Sequence, residues 1–362
     1  MDRRSFLKNA GLAGTGGATL LAAPAVAQER KEFTIVSSFP RDFPGLGMSA
    51  QRLSKRITEL SNGRLQATYY AAGERVGAFD VFDEVASGNA QAYISADYYW
   101  VGKDPAFAYF TSVPFGMTMP EWNAWIKFKG GQELWDKVSG NFDLKALPCG
   151  GTGTQMGGWF NVEIESVDDL KGLKMRIPGL GSFVMSKLGV SVVSLPGGQI
   201  YENLVSGAID AAEWVGPYND YFMKFYEAAK YYYMAGMHEP GGGNSFGMNK
   251  VWWTSLTEWE RTVIEAACME ENAAMNEEFL ANNGIYLKKL VEDHGTQLRQ
   301  FNEETWDAFG EAAIEVIEEN RGQSALTAEI HDHYRAALTE LGQFRKGAEI
   351  TYSNQRNRVL GL

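Results

Sequence analysis

The N-terminal third of the chain alternates between short apolar runs and segments whose apolar residues recur at helical spacing. Apolar runs predict buried strands, and a spacing of three to four residues predicts amphipathic helices. Strands are predicted over residues 33–39, 65–70 and 90–95, and helices over 46–60 and 79–86. Strands that alternate with helices favour a parallel sheet with helices on its faces. We therefore predict an α/β lobe in this region.

Two glycine clusters mark the points where the chain leaves this lobe and returns to it. The first cluster is Gly150-Gly151-Thr152-Gly153, and the second is Gly241-Gly242-Gly243. A second set of alternating elements lies between them, with strands over 155–160, 173–177 and 211–214 and a helix over 182–188. Glycine clusters between periodic segments are typical of connections. Two crossings predict a two-lobed α/β fold with a hinged cleft.

The C-terminal part of the chain is predicted to be helical. Apolar residues keep helical periodicity over 258–291, 306–319 and 330–341, and helices of this length either brace two lobes or pack on one of them. The predicted organisation is a signal peptide at 1–27, a first lobe of 28–150 with part of 240–300, a second lobe of 151–238, and helices of 301–362 that brace or extend the lobes.

The first 27 residues have the features of an export signal. A charged start containing Arg3-Arg4 precedes a glycine-rich apolar stretch, and Ala25-Val26-Ala27 resembles a cleavage site. The paired arginines, followed by Phe-Leu-Lys, resemble the twin-arginine export signal. We predict a periplasmic protein exported by that route.

Composition and charge narrow the possible functions. Of the 362 residues, 45% are hydrophobic, a proportion typical of a folded globular protein. The formal net charge of −12 leaves no basic surface for nucleic acid. An anionic ligand would need cationic groups placed locally in a cleft. With only Cys149 and Cys268, neither a disulfide framework nor a thiolate metal site is available. Buried free thiols are favoured over a single disulfide, which stays possible.

Arg176 and Glu213 are the first candidates for binding chemistry. Each lies at the end of an apolar strand, where open α/β sheets place their ligands. An arginine there can grip a carboxylate through two parallel hydrogen bonds, but a strand-end arginine is more often a surface residue or an ion-pair partner. A glutamate in a cleft needs a cation, either Arg176 or a metal, whereas on an alternating strand it would face solvent.

Two further residues could supply oxygen ligands to a metal ion, and the sequence lacks the common cofactor-binding and catalytic motifs. Gln155 offers an amide oxygen and Glu239 a carboxylate, and a set without His or Cys suits Na⁺ or Ca²⁺ rather than zinc or copper. The sequence contains no dinucleotide fingerprint, Walker motif or Ser/His/Asp elbow, so no organic cofactor is predicted. The aromatic cluster Tyr98-Tyr99-Trp100 is mostly core, with Tyr99 predicted to contact the ligand.

Three segments carry a resemblance to a known family. They are Gln155-Met156-Gly157-Gly158-Trp159-Phe160, Leu170-Lys171-Gly172-Leu173-Lys174-Met175-Arg176 and Glu213-Trp214-Val215-Gly216-Pro217-Tyr218. With them, nearly the whole chain after the signal resembles the periplasmic solute receptors of TRAP (tripartite ATP-independent periplasmic) transporters, in the branch that binds 2-oxo and 2-hydroxy monocarboxylates.

The resemblance implies a two-lobed fold that closes on its ligand. In it, Arg176 grips the ligand carboxylate, and a bridging cation is held by the Gln155 amide, the Glu213 carboxylate and the main-chain oxygen of Trp214. Glu239 is implied to lie near the ligand or the metal. The flanking Met237-His238 and Pro240 depart from the aromatic and glycine residues typical of the family there.

The function implied is a receptor and not an enzyme. It would bind a short 2-oxo or 2-hydroxy monocarboxylate such as pyruvate or lactate and deliver it to the membrane subunits of a TRAP transporter. The alternatives are a receptor for a C4-dicarboxylate or larger carboxylate without metal, and a periplasmic keto-acid enzyme, for which no activated nucleophile or histidine base is evident. Dimers are known in this branch, so a homodimer is possible.

Overall fold

The computed structural model describes residues 30–362, so the predicted signal peptide at 1–27 lies outside the described residues. The strands are β1 Lys31–Ser37, β2 Leu65–Tyr70, β3 Ala92–Ser95, β4 Leu144–Gly151, β5 Gly158–Phe160, β6 Lys174–Arg176, β7 Ser191–Val193, β8 Ala211–Ala212, β9 Tyr231–Met234, β10 Gly243–Asn249 and β11 Gln297–Gln300. The α-helices are α1 Leu46–Leu60, α2 Val81–Ala86, α3 Met119–Phe128, α4 Gly131–Gly140, α5 Gly179–Lys187, α6 Gly197–Ser206, α7 Pro217–Phe222, α8 Lys250–Ser255, α9 Glu258–Glu292, α10 Glu303–Arg321, α11 Ala325–Arg345 and α12 Thr351–Leu360.

The first sheet has the strand order β2-β1-β3-β10-β4. Strands β1, β2 and β3 run parallel, as the alternation of strands and helices predicts. The prediction of a parallel sheet is wrong for β10, which is antiparallel to both β3 and β4. This strand enters directly from the second crossing rather than through a crossover helix, and only a crossover would make it parallel to a neighbour. The sheet is therefore mixed.

The second sheet has the order β11-β9-β5-β8-β6-β7. Strand β6 is parallel to β7 and β8, and β9 is parallel to β11, whereas β5 is antiparallel to β8 and β9. The predicted strand at 155–160 is shorter than expected and begins at Gly158. Gln155 consequently lies in the crossing, and Glu213 follows the end of β8.

The two crossings pair with each other between the sheets. We call residues 152–157 and 235–242 the crossing ribbon, because main-chain hydrogen bonds join them along their length. Thr152 N donates to Gly242 O (3.1 Å), Gln155 N to Glu239 O (3.0 Å) and Gly236 N to Gln155 O (2.9 Å). The ribbon carries two of the predicted site residues between the sheets. The domain boundaries proposed from the sequence stay predictions.

Long helices connect the two halves of the molecule. Helix α9, 35 residues long, begins with a capping box formed by Thr257 and Glu260 and packs against β4 and α1 beside the first sheet and α7 beside the second. Helix α10 packs on α5, and α11 packs on α3. Helix α9 therefore contacts elements beside both sheets. No helix within residues 30–362 has both the length and the apolar character needed to cross a membrane.

The core around the C-terminal helices is strongly aromatic. Phe110 stacks between Trp125 and Trp135, with ring centres 5.6 and 5.1 Å away, and Tyr334 of α11 meets Trp125 edge-on. Such pairs add to the free energy gained by burying their apolar area. Both cysteines are buried free thiols.

Candidate functional site

Four of the six predicted site residues line a small cavity between the two sheets, and the other two, Arg176 and Glu213, lie beside Trp214 of this lining. Its lining includes Tyr98 and Tyr99, which follow β3, and Trp214, which follows β8, together with Gln155 and Glu239 of the crossing ribbon. The cavity volume that is open to the centre of a water-sized sphere is about 10 Å³. This is room for roughly one water molecule. A larger groove of about 330 Å³ beside Leu180 and Val316 includes none of these residues. We therefore place the site at the small cavity.

Arg176 is fully buried at the end of β6, so the surface alternative for this residue is wrong. Its Nε donates to Leu195 O (3.1 Å), and Nη1 donates to Glu213 O (2.5 Å) and Glu213 Oε2 (3.2 Å). Its guanidinium lies 5.2 Å from the centre of the Trp214 ring. The second amino group, Nη2, finds no hydrogen-bond partner among residues 30–362, so Arg176 is held in place with one donor free.

Glu213 is also fully buried, which excludes the solvent-facing alternative. Its main-chain N donates to Arg176 O (3.0 Å), because β6 and β8 are adjacent parallel strands. One carboxylate oxygen pairs with Arg176, and the other, Oε1, forms no hydrogen bond within the described chain. The site therefore contains a buried ion pair with an unused oxygen atom and an unused N–H group.

Trp214 is packed tightly beside this ion pair. A Cβ atom on Gly197, at the start of α6, would lie 2.4 Å from the indole, so the ring fills the space that this glycine leaves. The indole Nε1 is buried and has no partner in the described structure. The next two main-chain N–H groups, of Val215 and Gly216, donate to Asp220 Oδ1 at 3.3 and 3.2 Å, which fixes the turn after Trp214.

Gln155 and Glu239 contact each other across the crossing ribbon. Gln155 Nε2 donates to Glu239 Oε1 (2.7 Å) and to Thr152 Oγ1 (2.9 Å). Burial raises the pKa of Glu239 well above its usual range, and the negative charge of Glu213 raises it further. Gly242 has a φ of +63°, and a Cβ there would lie 2.0 Å from Thr152 Oγ1. Glycine at this position lets the two strands of the ribbon approach closely.

Tyr99 lines the cavity, and so does Tyr98, which the sequence did not single out. Their rings lie 4.9 Å apart, and burial raises the pKa of both phenols. The Tyr98 ring packs on Gly179 at the start of α5, where a Cβ would lie 2.6 Å away. This contact joins the first-sheet side of the cavity to the second-sheet side.

His238 is a second site residue that sequence reasoning missed. The sequence indicated only that it departs from the family pattern beside Glu239. In the structure it is 5% exposed, and its Nε2 lies 3.3 Å from Glu213 Oε1 without the geometry of a hydrogen bond. The sequence signal for His238 was its position next to Glu239, a predicted ligand. Neighbouring residues in an extended segment usually point to opposite faces, so this position did not indicate that His238 enters the site.

The unpartnered polar atoms around the cavity indicate what it binds. Buried polar groups normally have partners, yet six here have none among the residues described: Gln155 Oε1, Arg176 Nη2, Glu213 Oε1, Trp214 Nε1, His238 Nε2 and Glu239 Oε2. The N–H donors suit an anion, and the carboxylate, amide and imidazole atoms suit a cation. One ligand atom each from Glu213, His238 and Glu239 lie within 4.8 Å of one another. The residues therefore fit a metal ion beside an anionic ligand.

Comparison with known proteins gives concordant results. The family of bacterial extracellular solute-binding proteins, family 7, matches residues 42–323. The monocarboxylate 2-oxoacid-binding periplasmic protein of Nostoc sp. strain PCC 7120 is 40% identical over 320 residues, which is 88% of this chain and 87% of that protein.

Two solved structures are also similar. One is a TRAP transporter solute-binding protein from Bordetella bronchiseptica, a mixed-occupancy dimer with calcium and picolinate bound, at 30% identity and a TM-score of 0.90 over 92% of this chain and 99% of that one. The other is a TRAP periplasmic solute-binding protein from Pseudoalteromonas atlantica with sodium and pyruvate bound, at 34% identity and a TM-score of 0.87 over 90% and 99%.

Proposed function

The chain belongs to family 7 of the bacterial extracellular solute-binding proteins, and we propose that it is a periplasmic receptor for a short 2-oxo or 2-hydroxy monocarboxylate such as pyruvate or lactate. The observation that carries this proposal is that three buried atoms without partners in the described structure, Arg176 Nη2, Gln155 Oε1 and Glu213 Oε1, lie in or beside the lining of one small buried cavity. A ligand with one carboxylate matches the single arginine, and a short ligand requires the least widening of a cavity that has room for roughly one water.

The residues divide the work of binding. Arg176 Nη2 donates to the ligand carboxylate, while its other two nitrogen atoms stay fixed on Leu195 and Glu213. The Gln155 amide oxygen, the Glu213 carboxylate and the main-chain oxygen of Trp214 would hold the cation, with Glu239 beside them. When bound, the cation supplies the positive charge that lets a 2-oxo acid lie beside buried glutamates. Tyr99 packs against the ligand.

The similar proteins support a bidentate ligand. Pyruvate and picolinate, the ligands of the two solved structures, both carry a carboxylate next to a second donor atom, and the accompanying ions are sodium and calcium. The Nostoc relative is named for 2-oxoacid binding. A 2-hydroxy acid offers the same pair of donor atoms, and no organic cofactor enters this scheme.

Membership of the family supports a periplasmic location and delivery of the ligand to a transporter. We propose that the chain is exported by the twin-arginine route, that it gives its ligand to the membrane subunits of a TRAP transporter, and that it catalyses no reaction. A homodimer is also proposed, since the Bordetella neighbour is a dimer. Closure around the crossing ribbon would present a distinct surface to the membrane subunits.

Thermal melting with candidate ligands tests the proposal. The chain from residue 28 onwards is melted with pyruvate, lactate, longer 2-oxo acids and succinate, each with and without chelator. Ligands that bind only the folded protein raise the melting temperature, so we expect stabilisation by pyruvate or lactate that chelator or Na⁺ removal weakens. A response to succinate alone, indifferent to metal, would favour the dicarboxylate alternative, and turnover of the bound ligand would favour an enzyme.

A further inference from the structure

His238 brings a nitrogen donor into a site whose other candidate ligand atoms are oxygen. Its ring is 5% exposed, and its Nε2 has no hydrogen-bond partner in the described part of the chain. This atom lies 3.3 Å from Glu213 Oε1, and ligand atoms of Glu213, His238 and Glu239 all fall within 4.8 Å of one another. Metal ligands at bond lengths near 2.1 Å lie about 3 to 4 Å apart, so small side-chain movements would complete such a site.

Two glycines hold the imidazole in this orientation. A Cβ atom on Gly236 would lie 2.4 Å from the His238 Cε1 atom, and one on Gly181, in α5, would lie 2.6 Å from the His238 Cβ. The ring therefore occupies space that any larger residue at either position would fill. A ring packed in this way is preorganised toward Glu213, unlike a surface histidine that samples several rotamers.

The charges of the site favour a divalent cation. Arg176 contributes one positive charge, and Glu213 and Glu239, when a bound cation keeps both ionised, contribute two negative charges, all of them buried. A monocarboxylate adds one more negative charge. A divalent ion neutralises the assembly, whereas a monovalent ion leaves a buried negative charge without a partner, which is unfavourable.

We propose that His238 is a ligand of the cation and that the site binds Zn²⁺ more tightly than Ca²⁺ or Na⁺. One imidazole nitrogen with two carboxylates is a donor set that zinc and its neighbours Co²⁺ and Ni²⁺ prefer, whereas Ca²⁺ and Na⁺ prefer oxygen atoms alone. The proposal deepens the proposed function, on which it rests for the presence of a cation.

Titration of metal-free protein with Zn²⁺, Co²⁺ and Ca²⁺ tests the preference. Wild type, His238→Gln and the control His294→Gln are compared by calorimetry, with and without pyruvate. His294 is exposed and stacks on Tyr226, with ring centres 3.8 Å apart. We expect His238→Gln to weaken Zn²⁺ and Co²⁺ binding by about 10- to 100-fold and Ca²⁺ binding by less than about 3-fold, and His294→Gln to match wild type.

X-ray absorption at the zinc edge of wild-type protein carrying one equivalent of Zn²⁺ gives a measurement that needs no variant. We expect the scattering of one imidazole ring. Its absence, Ca²⁺ binding tighter than Zn²⁺, or unchanged Zn²⁺ affinity in a folded His238→Gln would each overturn the proposal. Pyruvate binding that persists with Ca²⁺ or Na⁺ in those cases would leave the proposed function standing. If the protein binds zinc through His238 but binds no carboxylic acid ligand under any condition, the proposed function alone is overturned.

Discussion

At the scale of single residues, the pair of Arg176 and Glu213 explains how the site is both ordered and ready to bind. An isolated buried arginine would be costly, and pairing offsets that cost while fixing the guanidinium plane. Nε and Nη1 are used by Leu195 and Glu213, so Nη2 is left for a ligand. Within one side chain, two nitrogen atoms therefore position the guanidinium, and the third is available to bind the ligand.

Replacement of Arg176 by lysine tests this separation. A lysine keeps the charge but carries a single nitrogen, which cannot contact Leu195, Glu213 and a ligand carboxylate together. We expect the affinity for pyruvate to fall by the equivalent of about 2 to 5 kcal/mol, measured by calorimetry. The control is Arg299→Lys, since Arg299 pairs with Glu163 and is one-third exposed. Near-normal affinity in Arg176→Lys would remove this arginine from the site.

At the scale of elements, the end of β3 shows how the fold positions the tyrosines of the cavity. Asp97 follows this strand and is fully buried. It accepts hydrogen bonds from Tyr93 (3.1 Å), from Trp135 of α4 (2.8 Å) and from Ser245 of β10 (2.5 Å). One carboxylate thus ties β3, α4 and β10 to the short helical turn Asp97–Trp100. Burial raises the pKa of Asp97 to about 6.

Asp97 is expected to make stability depend on pH. Its pKa of about 6 in the folded protein exceeds the value of about 3.9 for unfolded aspartate, so the folded state binds the proton more tightly. This contribution is full below about pH 4 and is lost as the pH rises to about 6, which amounts to on the order of 2 to 3 kcal/mol. The free energy of unfolding of wild type should therefore fall relative to Asp97→Asn across this interval.

Urea unfolding at several pH values measures that difference. Other carboxylates change the absolute curves, as Glu74 does, because its hydrogen bond from Arg41 lowers its pKa to about 2. The comparison with Asp97→Asn cancels these common contributions. Asp83→Asn serves as the control, because Asp83 is 65% exposed beside Lys103. Parallel curves for wild type and Asp97→Asn would show that Asp97 does not titrate in this range.

At the scale of the whole molecule, local sequence patterns predicted the strands and crossings better than they predicted which distant segments pair. The alternating pattern gave the parallel strands β1 to β3, and the glycine clusters marked the crossings. The antiparallel β10 and the crossing ribbon depend on contacts between segments far apart in sequence, which no local pattern encodes. His238 was missed for a similar reason: Ala235 and Gly242 have φ of +57° and +63°, so the segment between them is irregular and strand alternation does not apply.

Closure of the molecule should depend on the contact between Tyr98 and Gly179. Gly179 has a φ of +60°, and a side chain there would meet the Tyr98 ring at 2.6 Å. Gly179→Val should therefore hold the two sides of the cavity apart and weaken pyruvate binding by roughly tenfold or more, equivalent to about 1.4 kcal/mol. Small-angle scattering should show wild type contracting when pyruvate and cation are added, and the variant contracting less.

Gly172→Val is the matched control, since Gly172 has a φ of +80° and a Cβ atom there would have no described atom within 4 Å. Equal contraction and affinity in Gly179→Val and Gly172→Val would mean that closure does not require this contact.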